Sequence, residues 1–175
     1  MSDLKPYSLY LFSTSRKEYS EWEKPEDVDC VFCAQAEDHG SIKKLSVFED
    51  DFLMVELNLF PYNTGHLMVV PKRHVQSLTE LDSQERNRLF AMVQKVEGLI
   101  RKVRDPAGIN IGANLGKAAG ESIHHTHIHL VPIYEKDRGF METSLDTKIV
   151  KERLEDTLES YRQKKDMLED YMSDA

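Results

Sequence analysis

Seven histidines occur in the 175-residue chain, and four of them, His124, His125, His127 and His129, fall within six residues. On a strand, successive side chains alternate between faces, so His125, His127 and His129 would project from one side and Thr126, Ile128 and Leu130 from the other. Three imidazoles would then stand in a row, about 6–7 Å apart per two-residue step, with His124 pointing away. A polar sheet face, or a tract that binds metal adventitiously, would show the same spacing. The apolar residues Ile128, Leu130 and Val131 favour a site, because a buried opposite face fixes the register of the row. Titratable groups fixed on a rigid strand suit catalysis, and an imidazole with a pKa near 6.5 is largely neutral and nucleophilic at pH 7.

The chain's two cysteines stand together in Cys30-Val31-Phe32-Cys33. A redox pair, half of a zinc site and a coincidence of two free thiols all fit this spacing. A redox C-x-x-C opens a helix after a strand, a context that residues 1–29 do not supply. A zinc site needs two further nitrogen or sulfur donors, and His74 with one member of the histidine row are the natural completions.

The elements that must position these groups are legible as patterns. Residues 45–57 read as two short strands broken at Glu49-Asp50-Asp51, and 66–71 as a buried strand after a loop carrying Pro61, Asn63 and Gly65. Asp82-Ser83-Gln84-Glu85 has the spacing of a capping box. Leu89, Met92, Val93, Val96, Ile100 and Val103 then mark one face of a long helix, which Pro106 should end near Arg104. Two strands follow, over 108–114 and 126–134, separated by a loop with Gly116 and Gly120. From Lys148 the spacing of Val150, Leu154, Leu158, Tyr161, Leu168 and Met172 predicts a second helix. The expected fold is therefore α+β, an antiparallel sheet with one long helix packed on it and an additional C-terminal helix.

Composition narrows the function classes. The formal net charge of -8, from 31 acidic against 23 basic residues, argues against a protein that coats duplex nucleic acid. Most of that charge is peripheral: residues 18–29 carry -5 and residues 148–175 carry -2. No apolar run approaches the roughly 18 residues of a membrane span, and residues 1–6 do not resemble a secretory signal, so a cytoplasmic protein without nucleic-acid or membrane partners is expected.

The segment from Ser122 through His125-Thr126-His127-Ile128-His129-Leu130-Val131 to Pro132 resembles the His-φ-His-φ-His-φ-φ signature of the histidine triad family of nucleotide hydrolases and transferases, with Thr126 as a departure. Two further segments, Leu57 to His74 and Gly108 to Gly120, resemble the branch containing the diadenosine tetraphosphate phosphorylases. The resemblance covers roughly residues 28–140. It implies a histidine triad (HIT)-like fold and a domain over 30–140, flanked by an N-terminal arm (1–29) and a C-terminal helical extension (141–175). It also implies a nucleotidyl hydrolase or transferase acting on dinucleoside polyphosphates of the diadenosine tetraphosphate type, by phosphorolysis or hydrolysis, and a homodimer.

By the same resemblance His127 is the nucleophile that forms a nucleotidyl-histidine, and His129 polarises phosphate oxygens and contacts the nucleotide. Asn58 would hold the ribose hydroxyls of an AMP-containing substrate, while Asn114, Gly120 and Ser122 would lie at the phosphates. In zinc-bearing members the equivalents of Cys30, Cys33, His74 and His125 hold a structural zinc ion. The alternatives are a nucleotide-binding member with weak or phosphoramidate-directed hydrolysis, or a hydrolase whose zinc is held by His127 and His129. Glu121 stands where many members have Gln, and its carboxylate would repel an anionic substrate unless protonated, paired with Lys117 or turned outward.

Overall fold

Two strands with no polar face form the middle of the protein. In a computed structural model that describes residues 24–135 and 152–172, β2 (Leu53–Leu57) and β3 (Leu67–Pro71) are buried at every position. Leu53, Val55, Leu57, Leu67 and Val69 enter the main core, whereas Met54, Met68 and Val70 form a second cluster around Phe32. The sheet is therefore covered on both faces, which explains why neither strand alternates polar and apolar residues. β1 (Ser46–Glu49), β4 (Gly108–Gly112) and β5 (Ile128–Ile133) complete an antiparallel sheet of order β1-β2-β3-β5-β4.

A short helix, α1 (Val31–Ala36), starts at Cys30 and brings Phe32 onto the second face. The main face is covered by α2 (Ser83–Arg104). The Asp82 carboxylate accepts the Glu85 N–H at 2.8 Å and Glu85 accepts the Asp82 N–H at 3.0 Å, the reciprocal bonds expected of the capping box. Arg73 grips the Glu85 carboxylate at 2.6 and 2.7 Å and holds its pKa down at about 2. Beyond Arg104, Asp105 takes a left-handed conformation (φ 46°) and the chain turns into β4.

The C-terminal segment differs from the continuous helix its spacing predicts. α3 (Leu154–Arg162) is followed by a separate 3-10 turn, Lys165–Leu168, after Lys164 leaves the helical region. Leu158 and Tyr161 from the helix, and Leu168 and Tyr171 beyond the break, all join the main core. Tyr161 and Leu168 are seven residues apart and would share a face either way, so periodicity does not reveal the break. The strands are shorter than expected: β4 ends at Gly112 rather than Asn114, and β5 starts at Ile128 rather than Thr126. Val150 and most of the N-terminal arm lie outside the described residues. No helix among the described residues is long and apolar enough to cross a membrane.

Glu56 is the one acidic residue in the fully buried strands. Its Oε2 accepts the Leu45 N–H at 3.0 Å, while Oε1 is buried without a hydrogen-bond partner. Burial pushes its pKa from 4.5 up to about 7, against the opposing effect of its hydrogen bonds. A raised folded-state pKa means stability is fully present below pH 4.5 and is lost as pH rises through 7. Glu56→Gln is therefore expected to raise stability at pH 8 by on the order of 2–3 kcal/mol and to change it little at pH 4.5. Denaturant melts at both pH values check this, and an equal gain at both would mean that the buried charge is not the cost.

Candidate active site and metal centre

The histidine segment enters the sheet through a bend rather than along a strand. The His125 N–H bonds the Ile123 carbonyl at 2.8 Å, and the Thr126 N–H is taken by the Val75 carbonyl at 2.6 Å instead of a sheet partner. His125 and His127 thus precede β5, and the three imidazoles do not form the single evenly spaced row that alternation predicts. The His127 and His129 rings meet edge to face, with centroids 4.5 Å apart. His125 turns toward the cysteines instead. Phe32 lies between the two groups, its ring centroid 5.6 Å from that of His125 and 5.0 Å from that of His127.

Hydrogen bonds determine which nitrogen of each ring carries its proton. His127 Nδ1 lies 2.7 Å from the His125 carbonyl, which can only accept, so neutral His127 bears its proton on Nδ1 and its lone pair on Nε2. His66, at the turn into β3, accepts the Tyr62 N–H on Nδ1 at 3.2 Å. Its proton is then on Nε2, which donates to His129 Nδ1 at 2.9 Å and leaves the His129 proton on Nε2. Burial supports this neutral count. It drives the His66 pKa well below its ordinary value, with His129 and His127 adding to the effect, lowers that of His127, and holds His129 at about 4. The pair thus offers one imidazole lone pair and one imidazole N–H side by side.

Both rings line a cavity of about 960 Å³ on the α1 face of the sheet. Asn58, Asn114, Gly120 and Ser122 line the same cavity, so all six residues expected to contact the nucleotide converge on one space. Val31, Phe32, Ile42, Leu45 and Leu59 also line it and supply apolar surface. Asn58 Oδ1 accepts the Phe60 N–H at 2.9 Å, while Asn114 Nδ2 reaches the Gly120 carbonyl at 3.5 Å across the loop. Gly116 and Gly120 both have φ of 88°, which L side chains rarely adopt.

Glu121 does not line this cavity, and its side-chain partner is His124 rather than Lys117. Its side chain is 4% exposed, and Oε2 accepts the Gly116 N–H at 3.2 Å and pairs with His124 Nδ1 at 3.1 Å. The carboxylate staples its own loop. Sequence reasoning gave no role to His66, whose only local sign is a histidine opening an otherwise apolar strand.

Cys30, Cys33, His74 and His125 lie together beside this cavity, with one ligand atom of each within 4.8 Å of all the others. Cys30 Sγ and His125 Nδ1 are 3.3 Å apart, Cys33 Sγ and His74 Nδ1 3.3 Å, and Cys33 Sγ and His125 Nδ1 3.7 Å. Tetrahedral zinc with ordinary bond lengths needs sulfur–nitrogen separations of about 3.6 Å, so the set fits a closed Cys2His2 site. His125 Nε2 donates to the Pro71 carbonyl at 2.8 Å, which fixes the ring with its Nδ1 lone pair toward the sulfurs. Burial keeps His125 neutral, with a pKa of about 4. Burial and the neighbouring Cys30 push the Cys33 thiol up to about 12, a cost that a divalent cation would reverse.

One zinc ion per chain is expected, and Cys33→Ser should abolish stoichiometric binding. Chelation should lower the melting temperature by about 5–10 °C, a loss of a few kcal/mol for a chain of this size. Metal analysis of the purified protein and melts with and without chelator check both expectations.

Comparison with known proteins places this geometry in a family. The HIT domain profile matches residues 39–136, more than half of the chain. The AP-4-A phosphorylase of Mycobacterium tuberculosis (strain CDC 1551 / Oshkosh) is 44% identical over 102 residues, covering 58% of this chain and 52% of that protein. The chain thus spans about half the length of that relative. Among solved structures, a hypothetical histidine triad nucleotide-binding protein from Sulfolobus tokodaii strain7 is 26% identical, with a TM-score of 0.67 over 79% of this chain and 93% of the other. A zinc-bound histidine triad family protein from Mycobacterium smegmatis is 27% identical, with a TM-score of 0.65 over 84% and 98%. With its profile match enclosing β1 to β5 and the paired imidazoles, this chain belongs to the HIT domain family.

Proposed function

We propose that the protein transfers a nucleoside monophosphate from a dinucleoside polyphosphate of the diadenosine tetraphosphate type to water or orthophosphate, through a covalent nucleotidyl-His127. The observation that carries this reading is the His127 Nδ1 bond to the His125 carbonyl, which leaves the Nε2 lone pair beside the His129 N–H in a nucleotide-sized cavity. The likeness to an AP-4-A phosphorylase supports the substrate class.

In this reading His127 Nε2 attacks the α-phosphorus, and the bond to the departing polyphosphate oxygen breaks. The nucleoside triphosphate leaves with the bond's electron pair, and the ring becomes a phosphorylated imidazolium. Water or orthophosphate then attacks the same phosphorus and loses its proton to solvent, while the P–Nε2 bond breaks and returns its electron pair to Nε2 of neutral His127. Splitting one hard displacement into two is the gain from the covalent step. The His129 Nε2–H donates to a non-bridging oxygen as negative charge develops there. Asn58 holds the ribose hydroxyls, and Asn114, Ser122 and the Gly120 backbone hold the phosphates.

When bound by Cys30, Cys33, His74 and His125, zinc supplies a structural cross-link, and two thiols kept reduced as ligands suit a cytoplasmic protein. β4 is an edge strand, and Ile111 and the nearby Leu115 are 47% and 41% exposed, which supports a homodimer joined along that edge. Gel filtration at monomer size would remove the dimer from the proposal.

His127→Asn should lower turnover of diadenosine tetraphosphate by at least about a thousandfold. Wild-type protein should give ATP with AMP if water is the acceptor and ATP with ADP if orthophosphate is. Full turnover by the variant, or failure to trap phosphorus on His127 in the wild type, would sink the covalent mechanism.

A further inference from the structure

The family match ends at residue 136, yet α3 reaches back to the turn that carries His66. Tyr161 is fully buried, and its hydroxyl donates to the Gly65 carbonyl at 2.9 Å. Contact there is close: a Cβ on Gly65 would lie 2.7 Å from Tyr161 Oη, 3.3 Å from Pro132 Cγ and 3.4 Å from Arg104 Cγ. Gly65 also has φ of 85°, so both conformation and space demand glycine.

The turn is held on its other sides as well. Asn63 Nδ2 donates to the Pro132 carbonyl at 2.7 Å, and the Tyr134 hydroxyl donates to the Thr64 carbonyl at 3.0 Å. α3 itself is anchored by Arg104, whose guanidinium lies 5.0 Å from the Tyr161 ring centroid and bonds the Thr157 carbonyl, Ser160 Oγ and Glu152. Immediately after Gly65 stands His66, whose ring joins the Tyr62 N–H to His129 Nδ1. The Gly65 carbonyl belongs to the peptide unit that includes the His66 nitrogen. Fixing that carbonyl therefore fixes the plane from which the His66 side chain departs.

We propose that Tyr161 is a positioning residue for the catalytic pair. Its hydroxyl locks the Gly65–His66 peptide, and through the His66–His129 hydrogen bond it keeps the His129 proton on Nε2, facing the cavity. The C-terminal helix thereby completes the site from beyond the family match, which ends at residue 136. The catalytic meaning rests on the function proposed above, but the control of the tautomer does not.

Tyr161→Phe removes one oxygen and keeps the ring, so the full-length variant separates positioning from packing. A purely structural hydroxyl would cost only about one hydrogen bond of stability and leave the histidine rings as they were. Positioning predicts that the ring 15N resonances of His66 and His129 in Tyr161→Phe move toward a mixture of tautomers. It also predicts that kcat for diadenosine tetraphosphate falls about tenfold with KM unchanged. Unchanged 15N shifts for both rings overturn the inference, whatever happens to stability. Altered shifts in a protein that shows no turnover uphold it and count against the proposed function instead. If Tyr161→Phe does not fold, Tyr134→Phe loosens the same turn from the Thr64 carbonyl. Unmoved His129 signals there overturn the idea that this turn sets the tautomer.

Discussion

The 2.7 Å hydrogen bond from His127 Nδ1 to the His125 carbonyl joins two centres that share no side chain. The His125 ring faces Cys30 and Cys33, while its backbone oxygen fixes the proton of the ring that lines the cavity. Phe32, the second residue of α1, packs on both imidazoles at once. One peptide segment and one aromatic ring thus link the centres directly. A Cys2His2 cluster beside the cavity can therefore bear on the imidazoles that line it through geometry.

Dryness is the second requirement. The proton count through His66 and His129 holds only while the rings stay neutral, and burial is the first cause of the downward shift in His66, His127 and His129. Glu121 lies outside the cavity lining, and its charge opposes burial at His127 without outweighing it. Its carboxylate is spent on the Gly116 N–H and His124, so the loop is shaped without setting a free negative charge among the groups that line the cavity. The whole-chain charge of -8 is irrelevant at this scale, since most of it lies in residues 18–29 and 148–175.

What the sequence disclosed was local. Asp82 and Glu85 announce the start of α2 because a capping box is a four-residue event. The break between β1 and β2 is equally local, although it falls at residues 50–52 and leaves Glu49 in β1, with Asp50 Oδ1 accepting the Phe52 and Leu53 N–H groups. The residue types around the cavity and the cysteine pair were readable through the family's motifs. Their relation was not, because it depends on contacts distant in sequence. The bend before β5 exists because Thr126 bonds Val75, 51 positions earlier. His66 matters through His129, and Glu121 turns inward through Gly116 and His124. α1 is six residues long, too short for any helical period to show.

β3 has a hydrogen-bonded imidazole at each end. His66 precedes its first residue and holds His129, while the carbonyl of Pro71, its last residue, holds His125. Five residues at about 3.4 Å each therefore act as a gauge between the two centres. Adding or deleting one residue inside it would change the span and, because side chains alternate, invert the faces of everything beyond the change. Relatives that keep both centres must keep this length, so variation in chain length has to accumulate in the loops and at the termini.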